Sequence, residues 1–256
     1  NACDAKDGVK DGVLEDPTLC KFDPSVLLCK GADGPDCLTA AQVDSVRKIY
    51  SPVFNPRTKE RIFPGFEPGS EKGWGFAASA KPPELTLTGL RNGVFKDPNW
   101  DYKTFNFDSD LALLDRELEA RNGMSTNLQP FFGHGGKLIQ YHGWSDNLIA
   151  PQNSVNYYKA VVDTLGGAAK VNGSYRLFMV PGMAHCRGGD GTDRFDPITA
   201  LEQWVEKSKA PESRVASRYA GEKVERTRPL CAYPQVAVYK GTGSTDDAAN
   251  FACKAR

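Results

Sequence analysis

Two hydrophobic periods alternate along the second half of the chain. In KLIQYHG (137–143) and YRLFMVPG (175–182), apolar residues crowd into short runs closed by glycine, as in strands buried from both sides. In SVNYYKAVVDTLGG (154–167) and ITALEQWVEKSKAP (198–211) they return every three or four positions, the spacing of amphipathic helices. Strand, helix, strand, helix at these separations predicts parallel α/β architecture. In such sheets, chemistry gathers just past the C-terminal ends of the strands.

The first half is patterned differently. LTAAQVDSVRKIY (38–50) pairs Thr39 with Gln42 as a capping box and spaces Val43, Val46, Ile49 and Tyr50 along a helix. FDSDLALLDRELEARNG (107–123) reads as a second helix, with Gly123 near its C-cap. Between them, residues 51–106 are rich in Gly, Pro and aromatics, among them Trp74, Phe95 and Trp100, with no sustained period. Such a segment usually covers something, so a lid or insertion is expected. The chain divides near residue 130, into a loop-rich part (1–130) and an α/β part (131–256).

Composition narrows the function. A chain of 256 residues with 40% hydrophobic content can bury a full core. Lys plus Arg equals Asp plus Glu at 32 each, so bulk charge recruits neither nucleic acid nor an anionic membrane. No apolar run approaches the roughly 18–20 residues that span a bilayer. Residue 1 begins no charged and then greasy leader, so any signal peptide is expected to have gone. Seven cysteines without paired CxxC spacing point to disulfides and to a secreted or periplasmic protein. Short loops favour Cys3 with Cys20, Cys29 with Cys37, and Cys231 with Cys253. Cys186 is left over, and an odd cysteine implies either a partner outside the chain or a free thiol.

The strand ends carry the candidate chemistry. HGWSDNLIAP follows the first strand and brings Asp146; PGMAHCRGG follows the second and brings His185. Acid and then histidine is the closing order of an α/β-hydrolase triad. The histidine takes the nucleophile's proton and returns it to the leaving group, while the carboxylate fixes the tautomer and stabilises the imidazolium. The plainer alternatives are an aspartate capping a turn and a histidine that is merely hydrogen-bonded. His142 could orient backbone near Asp146, and His134, in FFGHGG, reads as solvated; neither is assigned a catalytic role.

Four segments in this order, CDAKDGVKDGVLEDP, KLIQYHGWSDNLIAP, PGMAHC and RTRPLCAYPQVAVYKGTGSTDDAANFAC, resemble the tannase and feruloyl esterase family of serine hydrolases over nearly the whole chain. The resemblance implies an α/β-hydrolase fold, here the C-terminal half of its sheet, with a loop-rich lid domain. It implies a serine esterase acting on aromatic, phenolic-acid esters, with Asp146 and His185 as acid and base. It pairs Cys186 with the cysteine directly before the catalytic serine. It places structural calcium at the N-terminal loop, where Asp4, Asp7 and Asp11 offer carboxylates and Val9 and Val13 backbone carbonyls. That is an oxygen set suited to a hard cation, although its spacing is not that of an EF-hand; the plainer alternative is a solvated acidic turn. By position in the family's lid, Trp74, Phe95 and Arg91 are the substrate-binding candidates.

One departure outweighs the matches. The chain has no G-x-S-x-G and no Cys-Ser dipeptide, and Ser145 beside Asp146 is a poor substitute for the nucleophile. The serine is therefore expected on an N-terminal half of the same enzyme, disulfide-linked through Cys186, and the chain alone is expected to be inactive. The alternative from another class is a calcium-stabilised, non-catalytic binding module or an inactive fragment.

Overall fold

The computed structural model describes the chain apart from residues 1, 78, 80 and 256, and leaves the side chains of residues 76, 77, 120 and 121 undescribed. The N-terminal segment is a string of short 3-10 turns and loops, stapled by Cys3–Cys20 and Cys29–Cys37. Helix α1 (Ala40–Tyr50) starts where expected: Thr39 accepts from the Gln42 backbone N–H, and the Gln42 side chain accepts from the Thr39 N–H.

The aperiodic stretch after α1 holds more structure than its pattern foretells. It forms a small antiparallel pair, β1 (Val53–Phe54) with β2 (Arg61–Phe63), then short helices α2 (Trp74–Ala77) and α3 (Glu84–Leu90), the last continued by a π-helical turn, Arg91–Phe95. Elements of two to seven residues are too short to show a period, which is why the sequence reads as loop. Helix α4 (Asp110–Asn122) ends at Gly123 in the left-handed conformation, the expected C-cap. A one-turn helix, α5 (Gln129–Gly133), leads into the second half.

There the parallel prediction holds. Strand β3 (Leu138–Gly143) pairs in parallel with β4 (Tyr175–Val180), Leu138 opposite Tyr175 and Gly143 opposite Val180. Helix α6 (Gln152–Thr164) and the one-turn helix α7 (Ala168–Val171) form the crossover. Strand β4 explains its own unbroken apolar run. Tyr175, Leu177 and Met179 pack with Val155, Tyr158 and Val161 of α6, while Phe178 and Val180 face the opposite cluster with Ala216 and Leu230. Burying a Val, Leu, Phe or Met side chain in this way contributes roughly 1.5–3 kcal/mol. Helix α8 (Pro197–Lys207), capped by Asp196, buries Trp204. Among the described residues, no strand pairs with the other edge of β3.

Beyond α8 the chain forms two antiparallel pairs, β5 (Ser213–Ala220) with β6 (Lys223–Cys231) and β7 (Gln235–Tyr239) with β8 (Phe251–Ala255). Cys231–Cys253 joins the two pairs. All three expected disulfides thus form, and Cys186 is exposed and unpaired within the chain. No helix among the described residues is long and apolar enough to cross a membrane.

Candidate active site

The site is built at the C-terminal ends of the two parallel strands. Gly143, the last residue of β3, is where the two loops touch: a Cβ there would lie 2.2 Å from the Met183 carbonyl oxygen and 2.8 Å from that of Ala184. Only glycine permits this approach, and the Ser145 backbone N–H then donates to Met183 O at 3.0 Å. The loop carrying Asp146 is thereby laid against the loop carrying His185.

Asp146 is 3% exposed and lacks no partner. Its Oδ1 accepts from the backbone N–H groups of Leu148 (2.8 Å) and Ile149 (2.9 Å). Its Oδ2 accepts from His185 Nδ1 at 2.9 Å and from His142 Nε2 at 3.1 Å. Burial alone would push this carboxyl up, but the hydrogen bonds from His142, the two backbone N–H groups and His185 outweigh it and hold Asp146 well below the usual carboxylate range. His185 is 41% exposed at its side chain, and with Nδ1 engaged its Nε2 is the nitrogen left for proton exchange. This is the geometry that an acid–base pair requires, with the free nitrogen of His185 on the open side of the ring.

Ser145 does not complete it. Its Oγ lies on the Gly69 side, 3.5 Å from where a Cβ would stand on that glycine, and among the described residues no hydrogen bond joins it to His185. Cys186 follows His185 with φ +64°, a left-handed conformation uncommon outside glycine. His134 is exposed, as expected. The sequence underweighted His142; the signal available was its place four residues before Asp146, at the end of the same strand.

The three lid candidates separate. Trp74 directly follows Gly73, whose carbonyl accepts from Asn147 Nδ2 at 2.6 Å, so it stands next to the acid's turn. Its indole N–H donates to Ser70 Oγ (2.9 Å), and its ring meets Tyr50 edge-on at 5.1 Å. Phe95 instead stacks on Trp100 at 4.0 Å, in a row continued by Phe105 and Phe107. Arg91 is already committed, to Glu84 (3.0 Å) and to the Trp100 carbonyl (3.0 Å). No hydrogen bond, ion pair or ring contact joins that cluster to Asp146 or His185 among the described residues. A cavity of about 560 Å³ lies away from that cluster, between the N-terminal loop, Tyr50, Gly69, Lys72 and Ser145.

The N-terminal loop folds around its own carboxylates. Asp4 Oδ1 accepts from the N–H groups of Asp11 and Gly12, Asp7 from those of Val9 and Glu15, and Asp11 Oδ1 from that of Val13. Buried Arg228 pairs with Asp11 and, at 3.5 Å, with Glu15, while Arg226 adds a longer contact to Asp11. Burial pushes Glu15 up to about 8, with Arg228 opposing and Asp7 and Asp11 reinforcing the rise. As a cation site the loop has the right chemistry: hard oxygen donors only, and four carboxylates against two guanidiniums. Among the described residues, however, no three acidic, histidine or cysteine side chains converge closely enough to hold an ion by themselves. An ion here would need backbone carbonyls, which is the role expected of Val9 and Val13.

An acid and a histidine brought together past the C-terminal ends of parallel strands is the arrangement of an α/β-hydrolase corner. The family model described as tannase and feruloyl esterase matches residues 1–254, and the chain belongs to that family. It is 39% identical to an uncharacterized esterase of Xanthomonas campestris over 98% of this chain and 52% of the relative. It is 35% identical to a probable feruloyl esterase B-2 of Aspergillus terreus over 98% of this chain and 51% of the relative. The solved structure of feruloyl esterase B from Aspergillus oryzae superposes with a TM-score of 0.89 at 33% identity, covering 98% of this chain and 54% of that one. The chain spans about half the length of the relatives it matches.

Proposed function

We propose that this chain carries the acid–base half of a serine-type carboxylic ester hydrolase acting on esters of aromatic, phenolic acids, of the feruloyl or galloyl type. The observation that carries the reading is the Asp146–His185 pair, 2.9 Å apart at the ends of two parallel strands. The serine belongs to the portion of the relatives' length that this chain does not span. It attacks the ester carbonyl while His185 removes its proton; His185 then protonates the leaving alcohol, and water discharges the acyl-enzyme by the same route. Asp146 orients the imidazole and stabilises it while charged.

Cys186, exposed beside His185, is the attachment point for a cysteine next to that serine, tying nucleophile to base. The loop-rich first half acts as lid and carries the ring contacts to substrate: Trp74 beside the acid's turn, with Phe95 and Arg91 reaching substrate only if their cluster moves toward it. Calcium at the N-terminal loop would be held by Asp4, Asp7 and Asp11 with the Val9 and Val13 carbonyls, supplying countercharge and bracing the loop. Three disulfides fit a secreted or periplasmic setting. The test is kcat and KM for methyl ferulate and methyl gallate in the full-length enzyme with D146N and with H185A. Turnover is expected to collapse in both while KM stays close to wild type. Unchanged turnover would overturn the reading and leave a non-catalytic binding module as the alternative.

A further inference from the structure

We infer that His142 is a positioning residue for the Asp146–His185 pair, locked in one tautomer by a hydrogen-bond chain that begins at the buried hydroxyl of Tyr175. The inference rests on the acid–base reading of that pair. His142 Nε2 lies 3.1 Å from Asp146 Oδ2 and 3.2 Å from the Ile149 carbonyl oxygen. Both neighbours only accept, so Nε2 must carry the proton. The other nitrogen, Nδ1, lies 2.7 Å from Ser154 Oγ.

What Ser154 does there is fixed further back. Tyr175 is fully buried, and burial pushes its hydroxyl up, so it keeps its proton and donates to Gln140 Oε1. With its oxygen engaged, Gln140 presents its amide N–H to Ser154 Oγ at 3.0 Å. Ser154 Oγ, accepting from Gln140, turns its own hydrogen to His142 Nδ1. The bonds therefore run one way, from Tyr175 through Gln140, Ser154 and His142 to the carboxylate.

The consequence lies at Asp146. Its four hydrogen bonds match the roughly four lone-pair sites of a carboxylate. Two backbone donors anchor Oδ1, and His142 holds Oδ2 at the point where His185 Nδ1 meets it. Removing His142 would leave Oδ2 with one donor and more freedom to swing out of the imidazole plane. His142 touches neither substrate nor nucleophile; it acts through Asp146.

The experiment uses the full-length enzyme, ¹⁵N-labelled, with H142L, H142Q and S154A. The imidazole ¹⁵N shifts should show His142 protonated at Nε2 and bare at Nδ1 near neutral pH. H142L should lower kcat about ten- to a hundred-fold with KM little changed. H142Q, whose amide can still donate to Oδ2, should recover most of that loss. S154A should weaken the tautomer preference at His142, and it carries the kinetic test if H142L does not fold. A proton on Nδ1, or H142L turnover equal to wild type, would overturn the inference. If the enzyme hydrolyses no phenolic ester at all, the functional reading fails by itself, and the tautomer measurement alone decides the role of His142.

Discussion

Two corners of this protein bury carboxylates, and they solve the same electrostatic problem in opposite ways. At the strand ends a single acid, Asp146, is surrounded by donors: two backbone N–H groups and two imidazoles. It stays charged because every lone pair has a hydrogen to meet. In the N-terminal loop Asp4 and Glu15 are buried, the Asp11 side chain is 6% exposed, and countercharge comes mainly from Arg228. There Glu15 is pushed toward its neutral form. Burial does not decide whether a carboxylate ionises; the count of donors and countercharges around it does. The first corner is arranged to hold a charge beside a histidine, and the second to tie a loop down.

The largest expected effect breaks the first corner. In D146N the new amide N–H faces His185 Nδ1–H and His142 Nε2–H, donor against donor, so His185 turns to the wrong tautomer. Turnover of the full-length enzyme should fall about a thousand- to ten-thousand-fold, as measured by phenolic-ester hydrolysis. The matching break in the second corner is R228L. Arg228 is 4% exposed, and its loss strands Asp11 and Glu15. Stability in a urea melt should drop by about 3–5 kcal/mol while kcat holds. A drop below about 1 kcal/mol would mean that the loop does not depend on this arginine.

The two corners also differ in how far the sequence reveals them. The pattern of residues 137–211 foretells β3, α6, β4 and α8, because the two helices repeat their burial pattern over three turns and each strand is one short apolar run closed by glycine. That Asp146 and His185 would meet was legible, because the loops after two parallel strands lie side by side. The other partners of Asp146 were not. Gln140, His142 and Ser154 come together only through the pleat of one strand and the first turn of the next helix, and Gly143 shows its purpose only once Met183 is against it. The loop poses the reverse case. Its acids are conspicuous in sequence, yet Arg228, which neutralises them, lies 217 residues from Asp11 and announces nothing locally.

Chelation sharpens the comparison further. If calcium supplements Arg228, a chelator should lower the melting temperature of the full-length enzyme, and calcium at a hundred times its Kd should restore about 2.7 kcal/mol. D4N with D11N should abolish that response and leave the Asp146 corner intact. A melting curve indifferent to both chelator and calcium would assign the loop to Arg228 and backbone N–H groups alone.

Glu67 offers the mildest and cleanest contrast with Asp146. Burial raises it to about 7, Asp16 adds to the rise, and Lys21 offsets only part of it. The folded state therefore holds a proton that the unfolded chain has released, and stability falls as pH climbs from about 4.5 to about 7. Asp146 is shifted down instead; its contribution is present above the ordinary carboxylate range and is lost as pH falls through its folded value. The two acids thus tilt the stability profile in opposite directions. E67Q, which keeps the shape and removes the titration, should flatten the decline by on the order of 1 kcal/mol between those pH values, read from urea melts across the range. Should E67Q leave the slope as it was, burial of Glu67 is not its source, and the raised Glu15 of the N-terminal loop becomes the group to replace next.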